Sequence, residues 1–280
     1  MTTVHVVTDS SCDLPAEVVE ALGITIVPLS IRFGMEEIVD RVELSTDEFW
    51  RRCQSSDELP ETAAPSPGAF EQAYRDAAAA GAPGVVAILL SGDLSATIEA
   101  ARAGARAVQD TIPVEVIDSR TVTLGLGTLV VMAAEAARDG ASLESVAEMV
   151  TEAVPRTRVH GALDTLENLR KGGRIGAAGS LLGSLLSIKP LIEVRDGVVE
   201  PAGKQRTRSK ALGHLVEMVR TNADDIERLA VLHAACDDVD VLVQQLEPLV
   251  DADILVGQVG PVVGTHAGLG TIGVVYQVRS

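Results

Sequence analysis

Through the first half of the chain, short apolar runs alternate with longer amphipathic stretches. Residues 4–8, 24–33, 85–90 and 114–118 are apolar runs of strand length. Between them, helical spacing predicts helices from Pro15 to Gly23, from Pro67 to Gly81, from after Ser95 to about Val108, and over 121–138. Asp13 is placed to cap the first of these. Ser66-Pro67 reads as an N-cap followed by proline at the first helical position, and Gly81 as a stop. Strands covered on both faces read as unbroken apolar runs, so this β-α-β-α order predicts a parallel sheet between two helix layers.

A change of rhythm at 151–155 marks a boundary. Beyond it the pattern predicts a strand over 157–162, a helix over 165–169, a Gly-rich turn and a helical segment over 177–186. Strands 187–194 and 198–200 flank Asp196-Gly197, a hairpin signal. An amphipathic helix follows over 208–220, then strands 229–235 and 254–259 around a helix at 239–246, and a closing strand at 271–278. The predicted fold is α/β: an N-terminal α/β/α domain with a mostly parallel sheet over 1–155, and a C-terminal α+β domain with a mixed sheet over 156–280. The ligand site is expected at and near the cleft between them. Asp9-Ser10-Ser11, residues 91–95 and Asp118-Ser119 follow the predicted parallel strands, and open parallel sheets bind ligands beyond the carboxyl ends of their strands. The same residue types are ordinary caps and turn formers, so both readings stand.

Aromatic residues make up only 2% of the chain, so any apolar ligand meets aliphatic walls rather than stacking surfaces. The formal net charge of −17 argues against nucleic acid and anionic membrane as partners. No apolar run approaches the roughly 20 residues of a membrane span. No signal peptide is visible, and Cys12, Cys53 and Cys236 show no paired spacing, which fits a reducing cytoplasm. Basic residues concentrate between Arg156 and Arg220, either as a solvated face or as a docking site for something anionic. There is no P-loop, CxxC, HExxH or GxSxG motif. Gly268-Leu269-Gly270-Thr271-Ile272-Gly273 matches GxGxxG, but a dinucleotide site also needs a following helix and an acidic residue about 20 positions on. The five histidines show no ligand spacing with cysteine, so neither a metal nor a cofactor is expected.

The motifs reached so far include Val7-Thr8-Asp9-Ser10-Ser11-Cys12-Asp13-Leu14, Thr62-Ala63-Ala64-Pro65-Ser66-Pro67-Gly68, residues 90–97 and Val116-Ile117-Asp118-Ser119. The second half adds Leu169-Arg170-Lys171-Gly172-Gly173-Arg174-Ile175, Ile188-Lys189-Pro190, Lys204-Gln205-Arg206 and Gly260-Pro261-Val262-Val263-Gly264-Thr265-His266. In shared order and spacing, nearly end to end, the chain resembles the DegV proteins, which include the fatty-acid-binding subunits of bacterial fatty acid kinase. The resemblance implies a long-chain fatty acid held in and between two domains. It also implies a separate ATP-binding kinase subunit that phosphorylates the carboxylate to an acyl phosphate, a step that feeds phospholipid synthesis. On this basis the chain is a binding subunit rather than an enzyme on its own. The alternatives are a stand-alone lipid carrier or sensor, or an enzyme with Ser95 or His266 as nucleophile.

By the same resemblance, Thr62, Ser95 and His266 contact the fatty acid carboxylate. Arg206 and His266 support the head group and phosphoryl transfer, and Arg170 and Arg174 form the partner surface. Residues 177–188, small residues alternating with Leu and Ile, are either a tunnel wall or closely packed helix. The chain departs from the family at Ala96, where a glycine is usual, at Asp93, which adds negative charge, and at Ala63-Ala64, where Ser-Gln is common.

Overall fold

The computed structural model describes residues 3–55, 59–183 and 188–279. The first half runs β1 (His5–Asp9), α1 (Ala16–Leu22), β2 (Thr25–Val27), β3 (Ser30–Phe33), β4 (Glu36–Val39), α2 (Thr46–Ser55), β5 (Glu61–Ala63), α3 (Pro67–Ala79), β6 (Val85–Leu89), α4 (Thr97–Ala107), β7 (Val114–Asp118), α5 (Leu124–Arg138) and α6 (Leu143–Ala153). The second half runs β8 (Thr157–Ala162), α7 (Glu167–Lys171), β9 (Lys189–Arg195), β10 (Val198–Gln205), α8 (Arg208–Asn222), β11 (Ile226–His233), α9 (Val239–Leu246), β12 (Ile254–Gln258), α10 (Pro261–Ala267) and β13 (Ile272–Val278).

The parallel sheet has the order β2-β1-β6-β7, and the mixed sheet the order β10-β9-β8-β13-β11-β12. A small antiparallel sheet, β4-β3-β5, stands beside them. β6 is buried along its whole length. Val85, Ala87 and Leu89 pack with α3 and α4, while Val86 and Ile88 face the layer that contains α5 and α6. That is the two-sided coverage its unbroken apolar run implies. In the second half, α8 and α9 cover one face of the mixed sheet. The other face joins the first half's core: Val159, Val194, Ala230, Leu232 and Val275 belong to the same cluster as Leu126, Leu129 and Val130 of α5. Eleven of the fifteen residues of α5 are buried, as expected for a helix apolar on every side.

Four expectations need correction. The run 24–33 is two strands in different sheets, because Pro28 cannot donate to a ladder and the Leu29 N–H is taken by Ser10 Oγ at 3.1 Å. Asp13 does not cap α1; it is buried, and its partners are Thr123 Oγ1 and the Gly260 N–H. The segment expected to be helical over 177–186 is a 3-10 helix over Gly176–Leu181, and 184–186 lie outside the described residues. His266, expected in a loop, sits in the last turn of α10. The hairpin at Asp196-Gly197 is present, with φ of +50° and +87° at its two central residues, the signature of a type I′ turn.

Candidate functional site

In the parallel sheet β2 is added on one side of β1 and β6 on the other, so the order of strands reverses there and the switch point lies between β1 and β6. Asp9, at the end of β1, is fully buried there. It accepts from the Ser11 N–H and hydroxyl and from the Leu90 N–H across the sheet. Burial pushes its carboxyl upward, and those bonds pull the other way. Asp9 therefore ties the first hydroxyl-rich loop to the end of β6. It is a brace beneath the site and lies outside the cavity lining described next.

An apolar slot opens at these carboxyl ends. Leu29, Leu90 and Val122 come from the parallel-sheet side, and Ile192, Val194 and Val199 from β9 and β10. Val262, Val263 and Ala267 of α10 form a third wall. The slot holds about 640 Å³ of space free of protein atoms, its mouth included, within the range of small-molecule sites. The centre of a water-sized sphere can reach only about 90 Å³ there, so the space is a narrow crevice.

Four polar side chains line the slot: Thr62 on β5, Ser95 before α4, Arg174 and His266. Thr62 Oγ1 lies 3.3 Å from His266 Nε2. His266 Nδ1 is buried without a hydrogen-bond partner. Burial first, and the Arg174 charge second, lower the imidazole to about 4, so it is neutral at pH 7. Ser95 Oγ accepts from the Thr97 N–H at 3.3 Å and lies 2.9 Å from Thr97 Oγ1. This local turn holds the hydroxyl at the N-terminus of α4, where free N–H groups and the helix dipole favour an anion. Ser95 thus serves as a structural turn residue and as part of the slot lining at once. No hydrogen bond joins Ser95 to a histidine or carboxylate among the described residues, which leaves its hydroxyl without an activating base.

A second, polar cavity shares Thr62, Arg174 and His266 with the slot and adds Glu61, Asn168, Lys171 and Gly172. About 340 Å³ of it passes a water-sized sphere, far more than the slot allows. The Thr62–His266 pair therefore stands between a greasy crevice and a roomier, more polar vestibule. Arg174 bridges the two, donating to the carbonyls of Leu94 at 3.1 Å and Gly172 at 2.7 Å.

Thr62, Ser95, His266 and Arg174 are thus brought together, although the sequence reading gave Arg174 only to the partner surface. Arg170 lies outside, exposed on α7 and bonded to Glu167 at 3.0 Å. Arg206 is exposed between β10 and α8 and lines neither cavity. Asn168 and Lys171 escaped the sequence reading as site residues, as did the Val262-Val263 wall; the Gly260-Pro261 helix start was the available signal for the latter. The departures prove local. Ala96 has φ −78°, which any residue adopts, and Asp93 is turned toward Arg120, 3.7 Å away. After Gly268–Gly270 the chain enters β13 rather than a helix, so the GxGxxG match has no dinucleotide context.

Fold and cavities define a mixed α/β protein with an aliphatic slot that ends in hydroxyls and a neutral histidine. The family described as "Uncharacterised protein, DegV family" matches residues 3–279, and the chain belongs to the DegV family. A DegV domain-containing protein of Streptomyces coelicolor is 38% identical over 236 residues, 84% of this chain and 83% of that one. One from Deinococcus radiodurans is 41% identical over 78% of this chain and 76% of its own length. Among solved structures, a DegV family protein from Thermus thermophilus, described for its fatty acid binding, superposes with a TM-score of 0.91 at 31% identity, covering 99% of this chain and 100% of that one. DegV from Bacillus subtilis, described as a fatty acid binding protein, gives 0.89 at 30% identity with both chains fully covered.

Proposed function

We propose that this protein binds a long-chain fatty acid, with the tail in the slot and the carboxylate at Thr62, Ser95 and His266. It presents the carboxylate through the vestibule to a separate ATP-binding kinase subunit, which phosphorylates it to an acyl phosphate in the cytoplasm. The observation that carries the reading is the junction itself: an aliphatic crevice that holds the Ser95 hydroxyl meets a roomier, more polar vestibule at the Thr62 hydroxyl, the His266 imidazole and Arg174. Fatty acid binding by the Thermus and Bacillus relatives supports the same reading.

Each methylene moved into the slot is worth about 0.8 kcal/mol, so a long tail outweighs the cost of association. The charged head must not be buried unpaired. Neutral hydroxyls, the free helix N-terminus and the Arg174 guanidinium supply donors without a closed ion pair. Lys171 and Arg174 line the vestibule, and Arg170 is exposed on α7 next to Lys171, so positive charge gathers there in an otherwise acidic protein, which suits a partner carrying phosphate. Arg206 is assigned to head-group support only in the assembled complex, where the partner would bring its exposed guanidinium into play.

Native mass spectrometry of protein incubated with oleate should show one non-covalent adduct. Labelled ATP added without a kinase subunit should give no acyl phosphate, and added with one should give it. Failure to retain oleate would sink the binding reading. A covalent adduct, or acyl phosphate formed without a partner, would overturn the subunit role.

A further inference from the structure

The slot's wall of β9 and β10 carries a fastening of its own. Ile192, Val194 and Val199 line the slot on either side of the Asp196-Gly197 turn. That turn folds onto the loops that leave the parallel sheet. Ser91, fully buried, donates its hydroxyl to the Gly197 carbonyl at 2.7 Å. Arg120 donates to the Asp196 carbonyl and lies 3.7 Å from the Asp93 carboxylate. These grips span 106 and 76 residues of sequence, and they spring from the ends of β6 and β7. A Cβ on Gly197 would stand 2.7 Å from Ser91 Oγ and 2.8 Å from Asp93 Oδ2, and its φ is +87°. Only glycine lets the turn seat this closely.

β9 is tied to β8 from Leu191 to Val194, whereas the turn from Arg195 to Val198 and the strand β10 lie outside that ladder. β10 is the outer strand of its sheet, and its pairing with β9 slips register between Pro201 and Gly203. Such a bulge leaves a residue out of the ladder and bends the strand at that point. The crevice is narrow and a methylene chain is wider than water, so a wall that yields eases the entry of a tail.

We propose that the tip and outer strand of the β9–β10 hairpin are the movable wall through which an apolar tail enters and leaves, and that Ser91, Asp93 and Arg120 are positioning residues that latch it shut. The proposal rests on the fatty-acid reading of the slot. None of the three residues lines the slot, so loosening the latch changes how often the wall opens rather than what the ligand touches. Association and dissociation then accelerate together, and affinity stays nearly constant.

The test is stopped-flow exchange of a fluorescent long-chain acid on wild type, Ser91→Ala, Arg120→Ala and the double variant. Each single variant should raise both rate constants about fivefold, and the double variant about tenfold or more, with Kd within twofold of wild type. Unchanged rates in variants that bind, or faster dissociation alone with weaker affinity, would overturn the latch. Hydrogen exchange on ligand-free protein tests it independently of the fatty-acid reading. The amides of residues 194–199 should exchange faster in the double variant while those of β6 do not; equal exchange in wild type and variant defeats the proposal. Arg120 is half-exposed, so its variant folds even if Ser91→Ala does not. If wild type binds no acid but the hairpin amides respond, the ligand is misidentified and the latch stands.

Discussion

Asp13 and His266 are both buried ionisable groups, and burial drives them in opposite directions. Asp13 accepts from Thr123 Oγ1 at 2.7 Å and from the Gly260 N–H at 2.9 Å, and Arg41 also favours its charged form. Desolvation outweighs these, and with a smaller push from Asp40 it raises the carboxyl from 3.8 to about 7. The folded state therefore holds a proton between about pH 3.8 and 7 that the unfolded chain releases, so this group's contribution falls as pH rises through that window. Asp13→Asn keeps an acceptor for Gly260, and the Thr123 hydroxyl can turn to accept from the new amide. The variant's Tm relative to wild type should improve by a few degrees between pH 5 and pH 8. An offset that is the same at both pH values would show that Asp13 is not the titrating group. His266 has the reverse sign: its folded value of about 4 lies below 6.5, so its neutral-state contribution is complete above about 6.5 and is lost as pH falls through 4. Nitrogen-15 chemical shifts of the imidazole in ligand-free protein should titrate near 4, and oleate should move the midpoint upward, because an adjacent carboxylate favours the imidazolium. A midpoint near 6.5 without ligand would contradict the burial of this ring. The sequence reading could see neither behaviour. It gave Asp13 to a helix start a few residues away, whereas its partners lie 110 and 247 residues along the chain.

At the scale of elements, α10 is where sequence and structure differ most. Its Gly-rich flanks read as loop, yet it carries His266 and one wall of the slot. The helix is held from outside: Trp50 Nε1 donates to the Val259 carbonyl at 3.0 Å, and Asp13 receives the Gly260 N–H. Local propensity does not report such anchors. By contrast, β6, β7, α3, α8 and the β9–β10 hairpin were legible, because apolar period, caps and a two-residue turn specify them locally. β4, β5 and α2 were missed, and β3 was read as the end of one strand with β2; these strands are short, and β3 to β5 pair with one another rather than with a long apolar sheet. Thr62 was legible only through family resemblance, since an isolated hydroxyl has no periodic signature, whereas Ser95 was also marked by its loop beyond a predicted parallel strand. Two glycine substitutions separate the anchoring of α10 from the placing of its histidine. A Cβ at Gly264 would lie 2.7–2.8 Å from the rings of Phe49 and Trp50, which are buried and cannot swing away. Gly264→Ala should cost about 1–3 kcal/mol in denaturant unfolding and weaken oleate binding with it. A Cβ at Gly172 would lie 2.2 Å from His266 Nδ1, in a ring that can turn about its side-chain bonds into the adjoining cavities, at a backbone φ of −75°. Gly172→Ala should leave stability within about 1 kcal/mol while lowering oleate affinity several-fold. Equal effects of both variants on stability and binding would remove the distinction.

For the whole molecule the question is whether the proposed division into 1–155 and 156–280 makes two units that melt separately. The packing argues that they melt as one. α5 lies between the parallel and mixed sheets, and a single apolar cluster contains residues of both. Removing the second half would expose Leu126, Leu129 and Val130, each now fully buried, at a cost of roughly 1.5–3 kcal/mol apiece. The one tryptophan reports directly on the joint, since Trp50 of the first half bonds to the Val259 carbonyl of the second. If the halves unfolded independently, fluorescence would change when this contact broke, and far-UV circular dichroism would follow in two steps. With a shared core, both signals should trace one transition with a common midpoint, and the calorimetric and van't Hoff enthalpies should agree. A ligand that bridges the same joint stabilises both halves together. Oleate at about 100 times its Kd adds roughly 2.7 kcal/mol, which should raise the single Tm by about 5–10 °C without splitting it. Two resolved transitions, or an oleate shift confined to one of them, would mean that the halves are separable and that the acid is held by one alone.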